Sequence, residues 1–441
     1  MRLFFFLLFL WSFSLQAQQS LSLDEAIQLA VDNSFQVLIA RQNLSIAQNN
    51  DDWAVAGRYP TVALTATNAN NYTNSSSPTG FLTTLSVYGT GITPAVEANW
   101  TFYNGMRTSL TKQQLTTLVR LSEGQVRVQI ETVISQTIRA YYNALIQREQ
   151  LQVFNDVLEL SRDRIRYQEI RREFGQAGSF DIIQTTDAYL NDSTSYLIQL
   201  NSYENALRNL NLAMGVETGS IDYVLTTDLE YVAPDYDSAA LRERMLQNNV
   251  GLQNLFVNRE LALLRTQLQE TAFKPTLGLR AGVLYDYTIQ NGNGISANGM
   301  DFPIDGAVNK RFNGFVNLTA NYTLFDGGVR RINVENARSE EVIAQLNVDD
   351  LRRNLNISLD NTLATYRNQK RLLELTESLV TNARRNIDIS EERFRAGQIN
   401  SFDYRTVQLQ YINAVQARLN AVFNIRTTET ELLRLIGDLM R

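Results

Sequence analysis

The 441-residue chain contains no cysteine and no histidine. Without cysteine, disulfides cannot stabilise the protein in an oxidising compartment. Without histidine, the chain lacks the usual acid-base residue at neutral pH, the Ser-His and Cys-His nucleophile pairs and the ligands of most zinc sites. These absences argue against most hydrolytic and metal-dependent enzymes, so we expect no enzymatic activity and no cofactor.

Charge of either sign is not concentrated anywhere along the chain. The net charge is -6, from 40 basic and 46 acidic residues, which gives no electrostatic footprint for nucleic acid. The densest basic cluster is interleaved with Asp163, Glu169 and Glu173, so we predict surface ion pairs for its arginines. Those arginines are Arg162, Arg164, Arg166, Arg171 and Arg172.

Long apolar runs are absent except at the N-terminus. Arg2 is followed by an apolar run from Leu3 to Leu15 and a small residue at Ala17, which is typical of a secretory signal peptide over 1–17. No later run is long enough for a membrane helix. A membrane role would therefore require a closed barrel, since only helices and closed barrels satisfy every backbone group in lipid.

Proline is scarce, with six residues in the chain, none between Pro94 and Pro234 and none after Pro303. Because proline in a helix interior costs about 3 kcal/mol or more, these stretches permit very long helices. We predict helices over 105–174 and 327–396, each about 70 residues and roughly 100 Å long. A second helix of about 35 residues follows each of them. In the first copy its apolar seam, with spacings typical of coiled packing, is Tyr189, Tyr196, Leu200, Tyr203, Leu207, Leu210 and Met214.

The chain repeats itself with a period of about 222 residues. The turn motif Gly175–Asp181 recurs as Gly397–Asp403. Met214-Gly215 recurs as Ile436-Gly437. The sequence is therefore one structural pattern duplicated.

We divide the chain with the help of these repeated motifs. The first repeat covers 18–215, an inter-repeat segment covers 216–236, and the second repeat covers 237–441. Each repeat contains a helix, a β-hairpin (60–103 or 275–325), a long helix, a turn that we call the tip (175–181 or 397–403), and a last helix.

The predicted hairpins alternate between apolar and small or polar residues. The apolar face carries aromatics near the strand ends and consists of Val96, Ala98, Trp100 and Phe102, of Leu277, Leu279, Ala281, Val283, Tyr285 and Tyr287, and of Val316, Leu318, Ala320, Tyr322 and Leu324. This is the pattern of strands with lipid on one side and water on the other, although a half-buried soluble sheet would also alternate. Segments rich in Asn, Ser and Gly, over 74–91 and 290–310, are predicted to be loops.

Four strands are too few to close a barrel, because the smallest closed barrels have about eight. The open edges of a four-stranded sheet would demand partners. A homotrimer supplies twelve strands and neighbours for the long helices.

Over essentially the whole predicted mature length, the chain resembles the TolC-like outer-membrane efflux proteins. The matching pieces are LSLDEA from Leu21, Tyr59-Pro60, Lys274-Pro275, LFDGG from Leu324, and the two tips. The resemblance implies a mostly α-helical channel-tunnel with a 12-stranded transmembrane β-barrel completed in a homotrimer. It places the protein in the outer membrane of a Gram-negative bacterium, extending into the periplasm. Its partners would be outer-membrane lipid, a periplasmic adaptor (membrane fusion protein) and an inner-membrane pump of the RND, ABC or MFS type.

The tip motif has a structural and a functional interpretation. Structurally, we predict that the glycines end one helix in a left-handed conformation, that the serines cap the next, and that the aspartates favour its first turn. Functionally, the resemblance implies that the tips contact the adaptor. The residues are Gly175, Gln176, Ser179, Phe180 and Asp181, with Gly397, Gln398, Ser401, Phe402 and Asp403. The two phenylalanines either anchor that contact or pack between the helices of the hairpin.

The resemblance also implies an entrance gate. In the family, an aromatic hydroxyl and a basic residue on the second hairpin link to an aspartate of a neighbouring hairpin. The corresponding residues here are Phe394, Ile399 and Asp181, which lack the hydroxyl and the charge, so we expect closure through apolar contact and helix packing. Asp403 matches an entrance-lining position, where three copies would form an acidic ring favouring cations; a plain helix N-terminal carboxylate is the alternative.

The leading hypothesis is a passive exit duct for a tripartite efflux or type I secretion system. The alternative is a periplasmic or surface coiled-coil structural protein whose strands form a small sheet. An exported enzyme with paired carboxylates, such as a glycoside hydrolase, is disfavoured because the chain has two rod-like halves and no compact α/β core.

Overall fold

The computed structural model describes residues 19–77, 79, 82–217, 223–296 and 298–440. The predicted signal peptide over 1–17 lies outside the described residues. Within them the helices are α1 (Leu23–Asn33), α2 (Phe35–Asn50), α3 (Arg107–Glu173), α4 (Ser179–Met214), α5 (Ser238–Asn248), α6 (Val250–Glu270), α7 (Val329–Arg395) and α8 (Ser401–Leu435). The strands are β1 (Gln19–Leu21), β2 (Thr61–Ser76), β3 (Leu82–Tyr103), β4 (Tyr223–Leu225), β5 (Thr276–Ser296) and β6 (Asp301–Asn321).

The two longest helices, α3 and α7, have 67 residues each and bounds close to those predicted. Each begins after a left-handed glycine, Gly105 or Gly327. The residue before that glycine accepts a hydrogen bond from the first turn: Asn104 Oδ1 from the Thr108 amide at 3.1 Å and Asp326 Oδ2 from the Arg330 amide at 3.0 Å. No helix among the described residues is long and apolar enough to cross a membrane.

The chain divides into two compact units. The first comprises Met1–Asn43, Glu123–Asn254 and Asp349–Arg441, and contains both tips. The second comprises Leu44–Ser122 and Leu255–Val348, and contains the four-stranded sheet.

The sheet of the second unit has the order β2-β3-β5-β6, and every neighbouring pair is antiparallel. Its register places residues of like character side by side across all four strands. One apolar row runs Val62, Ala98, Ala281 and Val316, and the next runs Leu64, Val96, Val283 and Gly314. The predicted alternation is confirmed, and the apolar side of the sheet is largely exposed in the single chain.

The opposite face of the sheet is polar. Glu97 and Arg280 lie on it, on the neighbouring strands β3 and β5. The Arg280 guanidinium donates to the Glu97 carboxylate from both Nε and Nη2, with the nearest N···O distance at 2.7 Å. A charge pair of this kind belongs on a wet face, because an exposed pair in lipid would be costly.

The predicted loops over 74–91 and 290–310 are wrong in extent. β2 continues to Ser76 and β3 begins at Leu82, while β5 continues to Ser296 and β6 begins at Asp301. Backbone pairing, on both sides for β3 and β5 and on one side for the edge strands β2 and β6, outweighs the weak strand propensity of Asn, Ser and Gly. At Gly292 the pairing of β5 with β3 requires a residue without a side chain, because a Cβ there would lie 2.0 Å from the Ser86 carbonyl oxygen.

The first unit is organised around a cluster in which α1, α3 and α4 meet the short parallel pair β1-β4. Tyr141, Leu145, Leu210 and Met214 are fully buried in it. The Tyr141 hydroxyl donates to the Leu21 carbonyl oxygen at 2.8 Å and thereby ties α3 to β1. The end of the predicted seam of α4 is therefore core.

The inter-repeat segment is held against α7 and α8 by aromatic and polar contacts. The Tyr366 hydroxyl donates to the Pro234 carbonyl oxygen at 3.0 Å, and the Tyr231 hydroxyl lies 3.2 Å from that of Tyr366. The Arg426 guanidinium stacks 3.8 Å from the centroid of the Tyr231 ring. These contacts join the segment between the repeats to the second repeat.

The repeated Met-Gly and Ile-Gly dipeptides end α4 and α8 in the same way. Gly215 has φ of 67° and Gly437 has φ of 71°. A Cβ on Gly215 would lie 2.9 Å from the Asn33 carbonyl oxygen, and one on Gly437 would lie 2.4 Å from that of Asn248. Each glycine therefore combines a left-handed backbone with a close approach to the end of a short helix, α1 or α5.

We expect Gly437→Ala to lower the thermal stability of the purified protein more than Gly397→Ala. Both glycines have φ of 71°, but nothing lies within 4 Å of a Cβ on Gly397. The control therefore carries only the left-handed strain of about 1–2 kcal/mol. The Gly437 variant adds a backbone clash worth about 1–3 kcal/mol. Circular dichroism melting checks this, and equal shifts for the two variants would contradict the close approach.

Candidate functional site

Both tips are helix C-termini closed by a left-handed glycine, as predicted. In the first, the Gly175 amide donates to the Arg172 carbonyl at 2.9 Å and the Gln176 amide donates to the Arg171 carbonyl at 2.8 Å. In the second, Gly397 and Gln398 make the equivalent bonds, to Phe394 at 3.0 Å and to Arg393 at 2.8 Å. This pair of bonds is the Schellman motif, which satisfies the last carbonyl groups of a helix.

The predicted capping role of Ser179 and Ser401 is wrong. Both serines are already helical, and the N-cap residues are Gly178 and Asn400, which have extended backbone at ψ of 168° and 172°. The extended residue falls one position earlier than the motif suggested, because in the second tip the Asn400 side chain supplies the capping oxygen itself.

The two tips use their aspartates differently. In the first, the Gly178 amide donates to Asp181 Oδ2 at 2.9 Å, since glycine has no side chain with which to cap. In the second, the Asp403 amide donates to Asn400 Oδ1 at 2.9 Å, which leaves the Asp403 carboxylate exposed. Both aspartates lie in the first turn of their helices, where negative charge is favourable.

The tip phenylalanines point away from the helical hairpins. The side chains of Phe180 and Phe402 are 76% and 65% exposed. Of the two interpretations left open by the sequence, packing between the hairpin helices does not occur in the chain. Phe174 is also exposed in the first tip, and sequence reasoning missed it because the second repeat has alanine at the matching position. Large exposed aromatics at the end of a helical hairpin are the type of residue that anchors protein contacts.

The predicted gate residues do not all meet. Phe394 is only 4% exposed and stacks on Tyr404 with ring centroids 5.3 Å apart. Tyr167 of α3 lies against the other side of the cluster, 5.6 Å from Phe394, and Ile399 packs on it. Asp181 lies outside this aromatic cluster, with its carboxylate on the Gly178 amide.

A buried polar layer lies next to the aromatic cluster and was not predicted. The Arg405 guanidinium of α8 donates to both carboxylate oxygens of Asp192 of α4, at 2.8 and 2.5 Å. Ser161 of α3 donates its hydroxyl to the same carboxylate at 2.5 Å. The layer therefore joins α3, α4 and α8 through one buried charge.

A weak signal for this layer exists in the sequence. Thr185, Asp192 and Gln199 follow one another at intervals of seven on α4, and all three are buried. A polar residue at a seam position of a coiled coil specifies register and partner. An apolar seam alone does not predict this layer, because polar side chains are absent from it.

Arg164 also contradicts the sequence prediction. It was expected on the surface, paired with neighbouring acidic residues, but it is 4% exposed and its Nη1 donates to Gln408 Oε1 at 2.8 Å. Burial, and then the positive charge of Arg405, lower the pKa of its guanidinium. Alternating charges along a helix indicate exposure only where no other element covers that face of the helix. Here α8 covers the face of α3 that carries Arg164.

Comparisons with known proteins agree over nearly the whole chain. The model of the outer membrane efflux protein family matches residues 26–216 and 241–438. No curated protein sequence matches the chain significantly.

Solved structures with the same fold share little sequence. The CmeC outer membrane channel of Campylobacter jejuni is 17% identical with a TM-score of 0.73, covering 94% of this chain and 85% of that one. The outer membrane protein VceC of Vibrio cholerae is 14% identical with a TM-score of 0.70, covering 94% and 96%. The open-state MtrE outer membrane channel of Neisseria gonorrhoeae is 15% identical with a TM-score of 0.70, covering 95% and 89%. The fold is that of the TolC-like channel-tunnels, as predicted.

Proposed function

The chain belongs to the outer membrane efflux protein family, and from that premise we propose that it is the passive exit duct of a tripartite efflux or type I secretion system. It is an outer-membrane efflux channel that extends into the periplasm. The proposal adds that it works as a homotrimer, docks a periplasmic adaptor through its tips, and draws its energy from an inner-membrane pump of the RND, ABC or MFS type.

The observation that carries the trimer is the four-stranded sheet. It has an apolar face continuous across β2, β3, β5 and β6, a polar face with Glu97 and Arg280, and edges at β2 and β6. A closed barrel needs about eight strands or more, and three copies joined edge to edge would supply twelve. The apolar face would then meet lipid and the polar face would line the duct.

We expect Val316→Arg to reduce the yield of heat-modifiable trimer in the outer-membrane fraction, while Thr319→Arg leaves it near the wild-type level. Val316 lies on the apolar face and is 74% exposed in the single chain. Arginine facing lipid costs about 2–4 kcal/mol at the membrane midplane, and the trimer contains three copies. Thr319 lies on the opposite face and pairs with Gly278, which leaves room for the longer side chain.

Semi-native gel electrophoresis of membrane fractions measures both variants. If both arginines are tolerated equally, the apolar face does not contact lipid. Trimers that are absent from the outer membrane even in the wild type would favour the alternative of a coiled-coil structural protein.

The adaptor contact is assigned to the two tips because they present the same motif twice, with Phe180 and Phe402 exposed. Replacing both by Ala should weaken site-specific crosslinking to the cognate adaptor by roughly thirtyfold or more, since a buried aromatic anchor at an interface is worth about 2 kcal/mol or more. The trimer should remain intact, because neither ring packs within the chain.

A matched control is Phe35→Ala, which removes a ring that is comparably exposed but lies outside the tips. Its crosslinking should equal that of the wild type. If the double tip variant crosslinks to the adaptor and exports at the wild-type level, Phe180 and Phe402 do not take part in docking. The chain's membership of the efflux protein family does not depend on this result.

The entrance is assigned to Asp181, Phe394, Ile399 and Asp403, with closure through apolar packing. Phe394→Ala should raise the resting conductance of the purified protein in planar bilayers. Removing a buried phenylalanine ring costs about 3–5 kcal/mol of packing, and here that packing holds α7 against Tyr167 of α3 and Tyr404 of α8.

Phe402→Ala is the control, because it removes an exposed ring from the tip that follows α7 and should leave conductance unchanged. A Phe394→Ala trimer that folds and conducts as the wild type would show that the entrance is closed elsewhere.

A further inference from the structure

The polar face of the four-stranded sheet carries acids and bases in equal number. Within the described bounds of the strands, two acids and two bases lie on this face, and β2 contributes no charge to it. These residues are Glu97, Asp286, Arg280 and Arg311. Each acid lies beside one of the bases, so the charges of the face cancel pair by pair.

The first pair, Glu97 and Arg280, is fixed by contacts on two sides of the guanidinium. Arg280 Nη2 lies 2.7 Å from each Glu97 carboxylate oxygen, and the guanidinium carbon lies 5.4 Å from the centroid of the Phe315 ring. Gly282 lies between Glu97 and Phe315 in the strand register. A Cβ there would lie 3.2 Å from Glu97 Cγ and 3.1 Å from Phe315 Cζ, so glycine leaves room for the pair.

The second pair joins β5 to β6, where Arg311 lies directly opposite Asp286 in the register. Opposite charges that face each other across antiparallel strands attract. Asp286 Oδ1 also accepts hydrogen bonds from the Thr93 hydroxyl at 3.2 Å and from the Thr288 hydroxyl at 3.0 Å. Neither hydroxyl carries a charge, so the base that compensates this carboxylate is Arg311.

The next step rests on the proposed function, in which three copies bring the polar face to the inside of a barrel. Each of the four residues then becomes a ring of three, and a ring of carboxylates favours cations. We propose that Arg280 and Arg311 determine the ion selectivity of the barrel. Each arginine ring cancels a carboxylate ring in the wall, and the barrel therefore remains permeable to anionic as well as cationic solutes.

The size of the barrel makes this cancellation measurable. A twelve-stranded barrel has a radius of roughly 12 Å, because its strands lie about 4.8 Å apart and tilt by about 40°. At a salt concentration of about 0.01 M the Debye length is about 30 Å, so three uncompensated charges act on every ion that passes them. Coulomb's law in water at this distance predicts a change of about threefold or more in the cation-to-anion permeability ratio.

The test measures reversal potentials of the purified full-length protein in planar bilayers, under a potassium chloride gradient near about 0.01 M. We expect Arg280→Gln and Arg311→Gln each to raise the cation-to-anion permeability ratio by about threefold or more. Glu97→Gln should lower the ratio by a similar factor, because it leaves Arg280 uncompensated. The double variant Glu97→Gln with Arg280→Gln should return close to the wild-type ratio.

The matched control is Lys310→Gln. Lys310 is the neighbour of Arg311 on β6 but lies on the opposite, apolar face, where its Nζ is 5.9 Å from the centroid of the Tyr287 ring. Its replacement removes the same charge from the side that would meet lipid, and the permeability ratio should not change. Residues of the entrance are identical in all these variants, so a shift in the ratio reports on the barrel.

The inference is overturned if the pore conducts but both arginine variants keep the wild-type permeability ratio, or if Lys310→Gln shifts the ratio as much as Arg311→Gln does. It is also overturned if the shifts persist at about 1 M salt, where a Debye length of about 3 Å screens the wall charges. A wild-type protein that forms no pore at all would contradict the proposed function itself, and the inference with it.

Discussion

The four-stranded sheet has two open edges, and their unpaired backbone groups govern how the chain assembles. A strand at an edge presents a row of backbone N–H and C=O groups without partners, and in lipid each such group costs several kcal/mol. β2 and β6 are these edges here, and they have 16 and 21 residues. In the proposed trimer each β6 edge meets the β2 edge of the next copy, so closure of the barrel and assembly of the oligomer are the same event.

The strands are longer than a membrane requires. A tilted strand spans the hydrocarbon core with about 9–11 residues, whereas β3, β5 and β6 have 22, 21 and 21 residues. The apolar rows occupy the ends of the strands nearest the long helices, and the ends rich in Asn, Ser and Gly lie beyond them. Polar strand ends of this composition remain ordered because each interior strand is paired on both sides. They extend the sheet past the apolar rows.

Much of this architecture could be predicted because its determinants are local. Absence of proline permits α3 and α7, a left-handed glycine ends each of them, and the period-two alternation of β3, β5 and β6 assigns their faces. The predictions are wrong where contacts with a distant part of the chain determine a residue's secondary structure or burial. Asn- and Gly-rich segments become strand through pairing, and the cap of α8 moves to Asn400 because its side chain reaches the Asp403 amide. Arg164 is buried because α8 lies over it, which no pattern of charges along α3 reports.

Duplication explains why the two repeats agree at the ends of their helices, although they differ in detail elsewhere. Matching positions in the two repeats carry residues with the same role at the helix ends. Asn104 and Asp326 accept hydrogen bonds from the first turns of α3 and α7. The left-handed glycines end the helices, at positions where few residues are sterically acceptable: Gly175 and Gly397, Gly215 and Gly437. The cap of the last helix in each repeat is less constrained, since either an acceptor on the N-cap or an acid three residues later satisfies an amide.

Behind the tips, an aromatic layer and a polar layer lie side by side and differ in the kind of contact that holds the helices together. Contacts among Phe394, Tyr404 and Tyr167 are one stacked and one tilted ring pair, which are less directional than hydrogen bonds to a charge. The Asp192 carboxylate, held by Arg405 and Ser161, is directional and buried, and breaking it by removing one partner typically costs 3–5 kcal/mol because a charge is left unpaired. The polar layer therefore fixes α8 against α3 and α4. At this end α7 is held by the ring contacts of Phe394 and by a hydrogen bond from the Tyr167 hydroxyl of α3 to the Arg395 carbonyl oxygen at 3.2 Å.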